Sequence, residues 1–183
     1  RVLIVTGMTG AGRSTAAHAL EDVGWYVVDN LPPDLVPALC QELAGAEPRD
    51  LAVVLDVRSG ALFDQLPSMF EALRRTGVAP EVLYLDARDA VIVQRQSSAR
   101  RPHPLQGGGR LADGIAAERQ RLGDLRAGAD LVIDTSDLNP HQLAGRVAHF
   151  FAPERVAVLS IVVLSFGFKN GLPIDADLVT DVR

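Results

Sequence analysis

Three observations predict an α/β fold built on a doubly wound parallel sheet with helices on both faces. Five short apolar runs recur along the chain, at residues 2–5, 25–28, 51–55, 81–85 and 131–133. They lack the in–out alternation of a half-exposed strand and so read as strands buried on both faces of a parallel sheet. The stretches between them have helical spacing, and strand–helix alternation of this kind specifies a parallel sheet with right-handed crossovers. Four of the runs end at an aspartate, namely Asp29, Asp56, Asp86 and Asp134. In open α/β sheets the ligand-binding groups gather outside the carboxyl ends of the strands.

Taken in order, the strand at residues 2–5 leads into a glycine-rich turn and a helix over residues 13–23. Leu62, Phe63, Leu66, Met69, Phe70 and Leu73 fall on one helical stripe. Asn139 followed by Pro140 reads as an N-cap with proline at the first helical position. That last helix would group Leu143, Val147, Phe150 and Phe151. Residues 100–110 hold two prolines, three consecutive glycines and three arginines, and read as a mobile loop or lid. After Pro153 a new strand at residues 156–164 runs into a turn at 165–173. The expected organisation is a first domain at residues 1–153, with its lid near 100–110. The beginning of a truncated C-terminal domain follows at 154–183.

Composition bounds the function classes. The chain has 183 residues, 48% hydrophobic and 22% charged, which is ordinary for a soluble domain. No apolar run reaches the ~18–20 residues of a membrane span, and no secretory signal pattern opens the chain. The single cysteine, Cys40, permits no internal disulfide and fits a reducing, cytoplasmic setting. A net charge of −5 argues against broad electrostatic binding of nucleic acid by this portion.

The chemistry concentrates at Gly7-Met8-Thr9-Gly10-Ala11-Gly12-Arg13-Ser14. An apolar strand before, a helix after, and the pattern G-x-x-x-x-G-[K]-[S/T] between them identify a P-loop. The predicted fold is therefore a kinase-like P-loop NTPase. Glycines let the backbone wrap closely at positive φ, and successive N–H groups form a nest for an anion. The helix start adds its positive dipole end. Ser14 Oγ is placed to ligate Mg²⁺, with Thr15 beside it. Arg13 stands where the pattern has lysine. A planar fork replaces a point charge, which puts the hydrolysis rate in question more than phosphate binding.

Asp56, closing the run 51–55, has the Walker-B form of a strand-end carboxylate that holds the Mg²⁺ shell. Val57, Arg58 and Ser59 follow it at the same rim. Arg13 and Asp56 are thus the candidate catalytic pair, and Ser14 and Asp56 the candidate metal ligands. Asp29-Asn30 stands where a small-molecule kinase would hold its acceptor. Asp86 and Asp134 read as turn and cap formers. Arg95, Arg100, Arg101 and Arg110 surround Pro102-His103-Pro104. They are either a lid that brings guanidinium groups to phosphate or a solvated basic face. Glu118, Arg119 and Arg121 read as surface pairs.

The chain resembles the RapZ/YvcJ family of bacterial nucleotide-binding proteins. The resemblance rests on the loop with its flanks (5–15), Leu20-Glu21-Asp22, Val28-Asp29-Asn30-Leu31-Pro32 and Asp56-Val57-Arg58-Ser59. It continues through Tyr84-Leu85-Asp86-Ala87, Arg100-Arg101-Pro102-His103-Pro104-Leu105, Asp134-Thr135-Ser136 and Ser165-Phe166-Gly167-Phe168-Lys169. It implies ATP binding at 7–14, a GTP-binding motif at 56–59, and weak ATPase and GTPase activity. Arg13 departs from the lysine usual in the family. The resemblance also implies a C-terminal domain with a sugar-phosphate ligand and an RNA or protein partner. One strand-end tetrapeptide beside one phosphate loop favours a single nucleotide site that takes ATP, GTP and Mg²⁺. A P-loop small-molecule kinase and an RNA or protein adapter are the alternatives, and homo-oligomerisation stays open.

Overall fold

The computed structural model describes residues 1–44, 50–55, 63–97 and 103–152, together with Ser165, Gly167 and Thr180. The chain divides into two compact units, Arg1–Pro153 and Glu154–Arg183. In the second unit the described residues Ser165, Gly167 and Thr180 are all exposed. The strand expected at 156–164 lies outside the described residues.

The first unit is built from β1 (Val2–Gly7), α1 (Arg13–Asp22), β2 (Tyr26–Asp29), α2 (Val36–Ala44), β3 (Leu51–Val54) and α3 (Leu66–Arg75). It continues with β4 (Glu81–Asp86), α4 (Asp89–Ser97), α5 (Leu111–Arg121), α6 (Gly123–Ala127), β5 (Leu131–Asp134) and α7 (Pro140–Phe151). The strands form a parallel sheet in the order β2-β3-β1-β4-β5. All five expected strands are present, each within two residues of its expected ends.

The sequence pattern explains the layering. In β1, Leu3, Ile4 and Val5 are buried without alternation, as are Leu51–Val54 of β3 and Val82–Leu85 of β4. β1 lies in the middle of the sheet, with Val5 opposite Val54 on one side and Leu83 on the other. The chain leaves β1 toward β2 on one side and later crosses back to β4 and β5 on the other. Right-handed crossovers then put α1 on one face and the next helices on the opposite face. The reversal opens a crevice at the carboxyl end of β1, the usual ligand position in such sheets.

α1 packs against α7, presenting Ala16, Ala17, Ala19 and Leu20 to the core. α7 begins as expected. Asn139 Oδ1 accepts from Gln142 N at 2.9 Å, and Gln142 Oε1 accepts from Asn139 N at 3.0 Å, a reciprocal capping box. Leu143, Val147 and Phe151 are buried, but Phe150 is 51% exposed and does not join them. Helical spacing alone would keep Phe150 with Leu143, so its exposure reflects what α7 packs against rather than its place on the helix. At the far end of α7, Phe151 meets Trp25 edge to face, with centroids 5.9 Å apart. Trp25 Nε1 donates to Phe151 O at 2.9 Å, which ties the helix to the start of β2.

Candidate functional site

The turn from β1 into α1 has the geometry of a phosphate loop. Gly7, Gly10 and Gly12 have φ of 141°, 85° and 102°, a region that L side chains rarely occupy. Gly7 is needed twice over, because a Cβ there would stand 2.1 Å from Leu85 O of β4. Without that Cβ, Met8 N donates to Leu85 O at 3.0 Å and the loop leaves the sheet edge-on. Met8 and Ala11 are fully buried and anchor the turn from below. Ala11 N closes a tight turn onto Met8 O at 3.0 Å.

Two side chains from distant segments hold the loop's carbonyls. The Thr135 hydroxyl, just past β5, lies 3.0 Å from Ala11 O and 3.1 Å from Asp86 O. Arg95 of α4 donates from Nη1 to Gly10 O at 3.0 Å and to Thr135 Oγ1 at 3.0 Å, and from Nη2 to Thr135 O at 2.7 Å. In a planar trans peptide the C=O and N–H point in opposite directions. Fixing Ala11 O on Thr135 therefore aims Gly12 N–H the opposite way, onto the side of the loop away from Thr135. The first helical bond of α1 runs from Ala16 N to Gly12 O at 3.0 Å. Gly12, the N-cap, brings no capping side chain and the first turn has no acidic residue. The positive end of α1 thus stands at the end of the loop without a capping side chain. A cradle of backbone donors beside a helix N-terminus suits an anion of phosphate size.

The structure brings together the expected loop residues Gly7, Met8, Thr9, Gly10, Ala11, Gly12, Arg13, Ser14 and Thr15. Ser14 is exposed on the first turn of α1 and Thr15 is half-buried. Arg13 Nη1 donates to Leu55 O at 2.9 Å, which carries the guanidinium to the carboxyl end of the β3 segment. Asp29 and Asn30 are exposed at the carboxyl end of β2. Asn30 adopts φ 58° and its N–H caps Asp29 Oδ1 at 2.8 Å. Asp56, Val57, Arg58, Ser59, Arg100 and Arg101 lie outside the described residues. Arg95, grouped with the lid arginines from sequence, instead braces the loop from α4.

Asp134 behaves as a turn former, accepting from Ser136 N at 2.8 Å and from Ser136 Oγ at 2.5 Å. Those bonds hold its carboxyl below the ordinary range. Asp86 has a larger structural part than a cap. It accepts from Arg119 Nη1 at 2.9 Å, Arg126 Nε at 2.8 Å and Ala87 N at 2.8 Å. Burial pushes its carboxyl up, and the bonds from Arg126 and Arg119 outweigh burial, so the net direction is down. Arg119 also binds Ala87 O and Asp89 Oδ1, each at 2.7 Å from Nη2. Asp86 therefore fastens α5 and α6 to the carboxyl edge of the sheet.

Glu118 is not a surface residue. It is 4% exposed, and its carboxylate reaches the phosphate loop. Thr9 N donates to both of its oxygens, at 3.2 and 3.1 Å, and Thr9 Oγ1 donates at 2.6 Å. His103, 3% exposed, places Nε2 3.0 Å from Glu118 Oε2. Leu105 N donates to His103 Nδ1 at 3.3 Å, so Nδ1 is the acceptor and Nε2 carries the proton toward Glu118. Gly114 makes room for this packing, since a Cβ there would meet Gln106 backbone at 2.9 Å and His103 Nδ1 at 3.0 Å. A signal for it exists in the sequence. Ile115, Glu118 and Leu122 fall on one helical stripe, so a carboxylate occupies an otherwise apolar position.

Among the described residues no cluster of three or more His, Cys, Asp or Glu could hold a metal ion, and no helix is long and apolar enough to cross a membrane. Comparison with known proteins places the chain. Residues 1–155 match a family described as RapZ-like N-terminal domain. The whole chain aligns at 57% identity over 183 residues with a nucleotide-binding protein of Cutibacterium acnes, and spans 63% of that protein. It aligns at 55% identity over 185 residues with another nucleotide-binding protein, from Leifsonia xyli, spanning 62% of it. The chain thus covers less than two thirds of the length of these curated relatives. Among solved structures, shikimate kinase from Bacteroides thetaiotaomicron superposes with a TM-score of 0.54 at 16% identity. The match covers 81% of this chain and 95% of the kinase. That likeness establishes the α/β kinase-like fold.

Proposed function

The chain belongs to the RapZ-like N-terminal domain family, and we propose that it is a nucleotide-binding regulatory protein that takes ATP or GTP at one phosphate site and hydrolyses them slowly. The observation that carries this reading is the loop at 7–14. Its three positive-φ glycines, the carbonyl struts from Thr135 and Arg95, and the uncapped start of α1 together favour bound phosphate. The relatives' description as nucleotide-binding proteins supports it.

Each residue has a part in the proposed mechanism. The loop backbone, with the glycines at 7, 10 and 12, binds and orients the polyphosphate. Arg13 stabilises charge on it, and as a fork also bonded to Leu55 O it is restrained in where it can deliver that charge. Ser14 Oγ would hold Mg²⁺ together with Asp56, and Val57, Arg58 and Ser59 would contribute to the same nucleotide site. Mg²⁺, when bound, would neutralise phosphate charge and favour hydrolysis. Arg100 and Arg101 would, on this reading, supply positive charge to the phosphates. The single site at Asp56–Ser59 and the loop rests on the adjacency of β1 and β3 in the sheet. A cytoplasmic setting follows from the lone Cys40. Sugar-phosphate and RNA or protein contacts belong, on this reading, to the family's C-terminal domain.

Calorimetric titration of the chain with ATP and GTP, with and without Mg²⁺, tests the proposal alongside phosphate release in the same samples. The expected result is one nucleotide per chain, mutual competition, and turnover well below the ~10 s⁻¹ median of enzymes. Arg13→Ala weakens triphosphate binding. Failure of both nucleotides to bind would overturn the reading, and a stoichiometry of two would overturn the single site. A small-molecule kinase is the second reading, favoured by the exposed Asp29-Asn30 at the rim. Labelled ATP yielding only free phosphate across a panel of hydroxylated metabolites would count against it.

A further inference from the structure

The protein places an anion of its own on the phosphate loop. Glu118 receives every identified hydrogen bond as an acceptor, from Thr9 N, Thr9 Oγ1 and His103 Nε2. No Lys or Arg is among these partners, and the side chains of His103 and Glu118 are 0% and 5% exposed. Arg119, next to Glu118 in sequence, is committed to Asp86 and Asp89. A buried carboxylate held by neutral donors keeps its field, because little water intervenes to screen it. That field falls on Thr9, in the middle of the loop that the proposed function assigns to phosphate.

We infer that Glu118 is a specificity-determining residue that sets how strongly the site discriminates between nucleotides by their number of phosphates. The inference rests on the nucleotide site proposed above. Each added phosphate brings another negative charge into the field of Glu118. The carboxylate therefore opposes a triphosphate more than a diphosphate, and a diphosphate more than a monophosphate. The loop and helix dipole attract all three, and Glu118 trims that attraction in proportion to ligand charge. His103 is a positioning residue, since its Nε2–H holds Glu118 Oε2 in place and Leu105 N–H fixes its tautomer. The arrangement suits a site that releases a triphosphate readily and senses which phosphorylation state is present.

Glu118→Gln is the direct test, because it removes the charge and keeps the shape and an oxygen to accept from Thr9. ADP and ATP are titrated into wild type and variant at one Mg²⁺ concentration and fixed ionic strength, with thermal unfolding as the folding control. The expected gain is about tenfold for ATP and about threefold for ADP, so the ATP/ADP affinity ratio rises about threefold. Glu118→Met removes the same charge and fills the buried position with an unbranched apolar stem, so the ATP/ADP ratio should again rise about threefold. It carries the test if Glu118→Gln does not fold. A merely structural tie would weaken both nucleotides together, and a general base would lower turnover with the ratio unchanged. Either result overturns the inference. If wild type binds ADP and ATP but the ratio holds in both variants, the inference fails and the nucleotide site stands. If neither nucleotide binds wild type or variant, the site reading itself fails and the inference with it.

Discussion

The phosphate loop and the segment that closes on it are held by different means. Residues 7–14 take their path chiefly from their own backbone, with Thr135 and Arg95 bracing two of its carbonyls. Three glycines at positive φ set the path, and Met8 and Ala11 pin it into the core. Residues 103–118 take theirs from side-chain contacts across the fold. His103 leans on Gly114 and Glu118, Glu118 reaches Thr9 109 positions away in sequence, and Arg119 grips Asp86. A backbone-defined loop tolerates change on its surface and none at its glycines. A contact-defined segment can be moved one side chain at a time without losing the fold.

The largest expected effect tests the first half of that contrast. Gly7→Ala sets a Cβ 2.1 Å from Leu85 O at φ 141°, so β1 and β4 must part. A loss of about 4 kcal/mol or more, or failure to fold, is expected in urea unfolding. A nearly neutral Gly7→Ala would break the comparison, since it would mean the loop can take another path.

Arg95→Met follows. It removes donors from Gly10 O and from Thr135 Oγ1 and O while keeping an apolar stem. About 2 kcal/mol of destabilisation is expected, with nucleotide affinity falling as the loop carbonyls are released. Unchanged affinity with reduced stability would confine Arg95 to the scaffold.

A third prediction uses pH. The Asp86 carboxyl lies below its ordinary value of 3.8 in the folded protein. A depressed carboxyl stabilises the folded state fully above the unfolded value, and that stability is lost as pH falls through the folded one. Wild-type stability should therefore drop more steeply than that of Asp86→Asn below about pH 4, and the two should run parallel above pH 5. Parallel curves throughout the acid range would mean that Asp86 is not what fastens α5 and α6.

The smallest effect on stability belongs to Gly114→Ala. The new Cβ would press on Gln106 backbone at 2.9 Å and on His103 Nδ1 at 3.0 Å. Improved helix propensity offsets at most about 1 kcal/mol of that strain, so a net loss of about 1–2 kcal/mol is expected on unfolding. The informative readout is the His103 ring by NMR, whose Nε2–H signal should move as its bond to Glu118 lengthens. An unmoved signal would show that the 103–109 turn is more rigid than its side-chain anchoring suggests.

Most of the scaffold was legible because its signals are local. Unalternating apolar runs gave the five strands, and glycine spacing between a strand and a helix gave the loop. Asn139-Pro140 gave the start of α7, to which the structure adds the reciprocal bond with Gln142. Phe150 departs from its expected grouping because helical spacing does not say what a face packs against: Phe151 meets Trp25, and Phe150 stays exposed. Arg95 and Glu118 were misjudged for a different reason. A charged residue on a helix reads as solvent-facing unless its partner is known, and their partners lie 85 and 109 positions away.

By itself, then, the sequence determined the α/β architecture, the positive-φ turn after β1 and the helix start that follows it. Each of these depends on the conformational freedom of a few neighbouring residues. Only the tertiary structure decided that Thr135 and Arg95 hold two of the loop's carbonyls, and that Asp86 clamps two helices. It alone decided that Glu118 and His103 bring a buried negative charge to Thr9. Those outcomes depend on which strand ends the crossovers make neighbours, and a charge's role is set by what stands within hydrogen-bond reach of it.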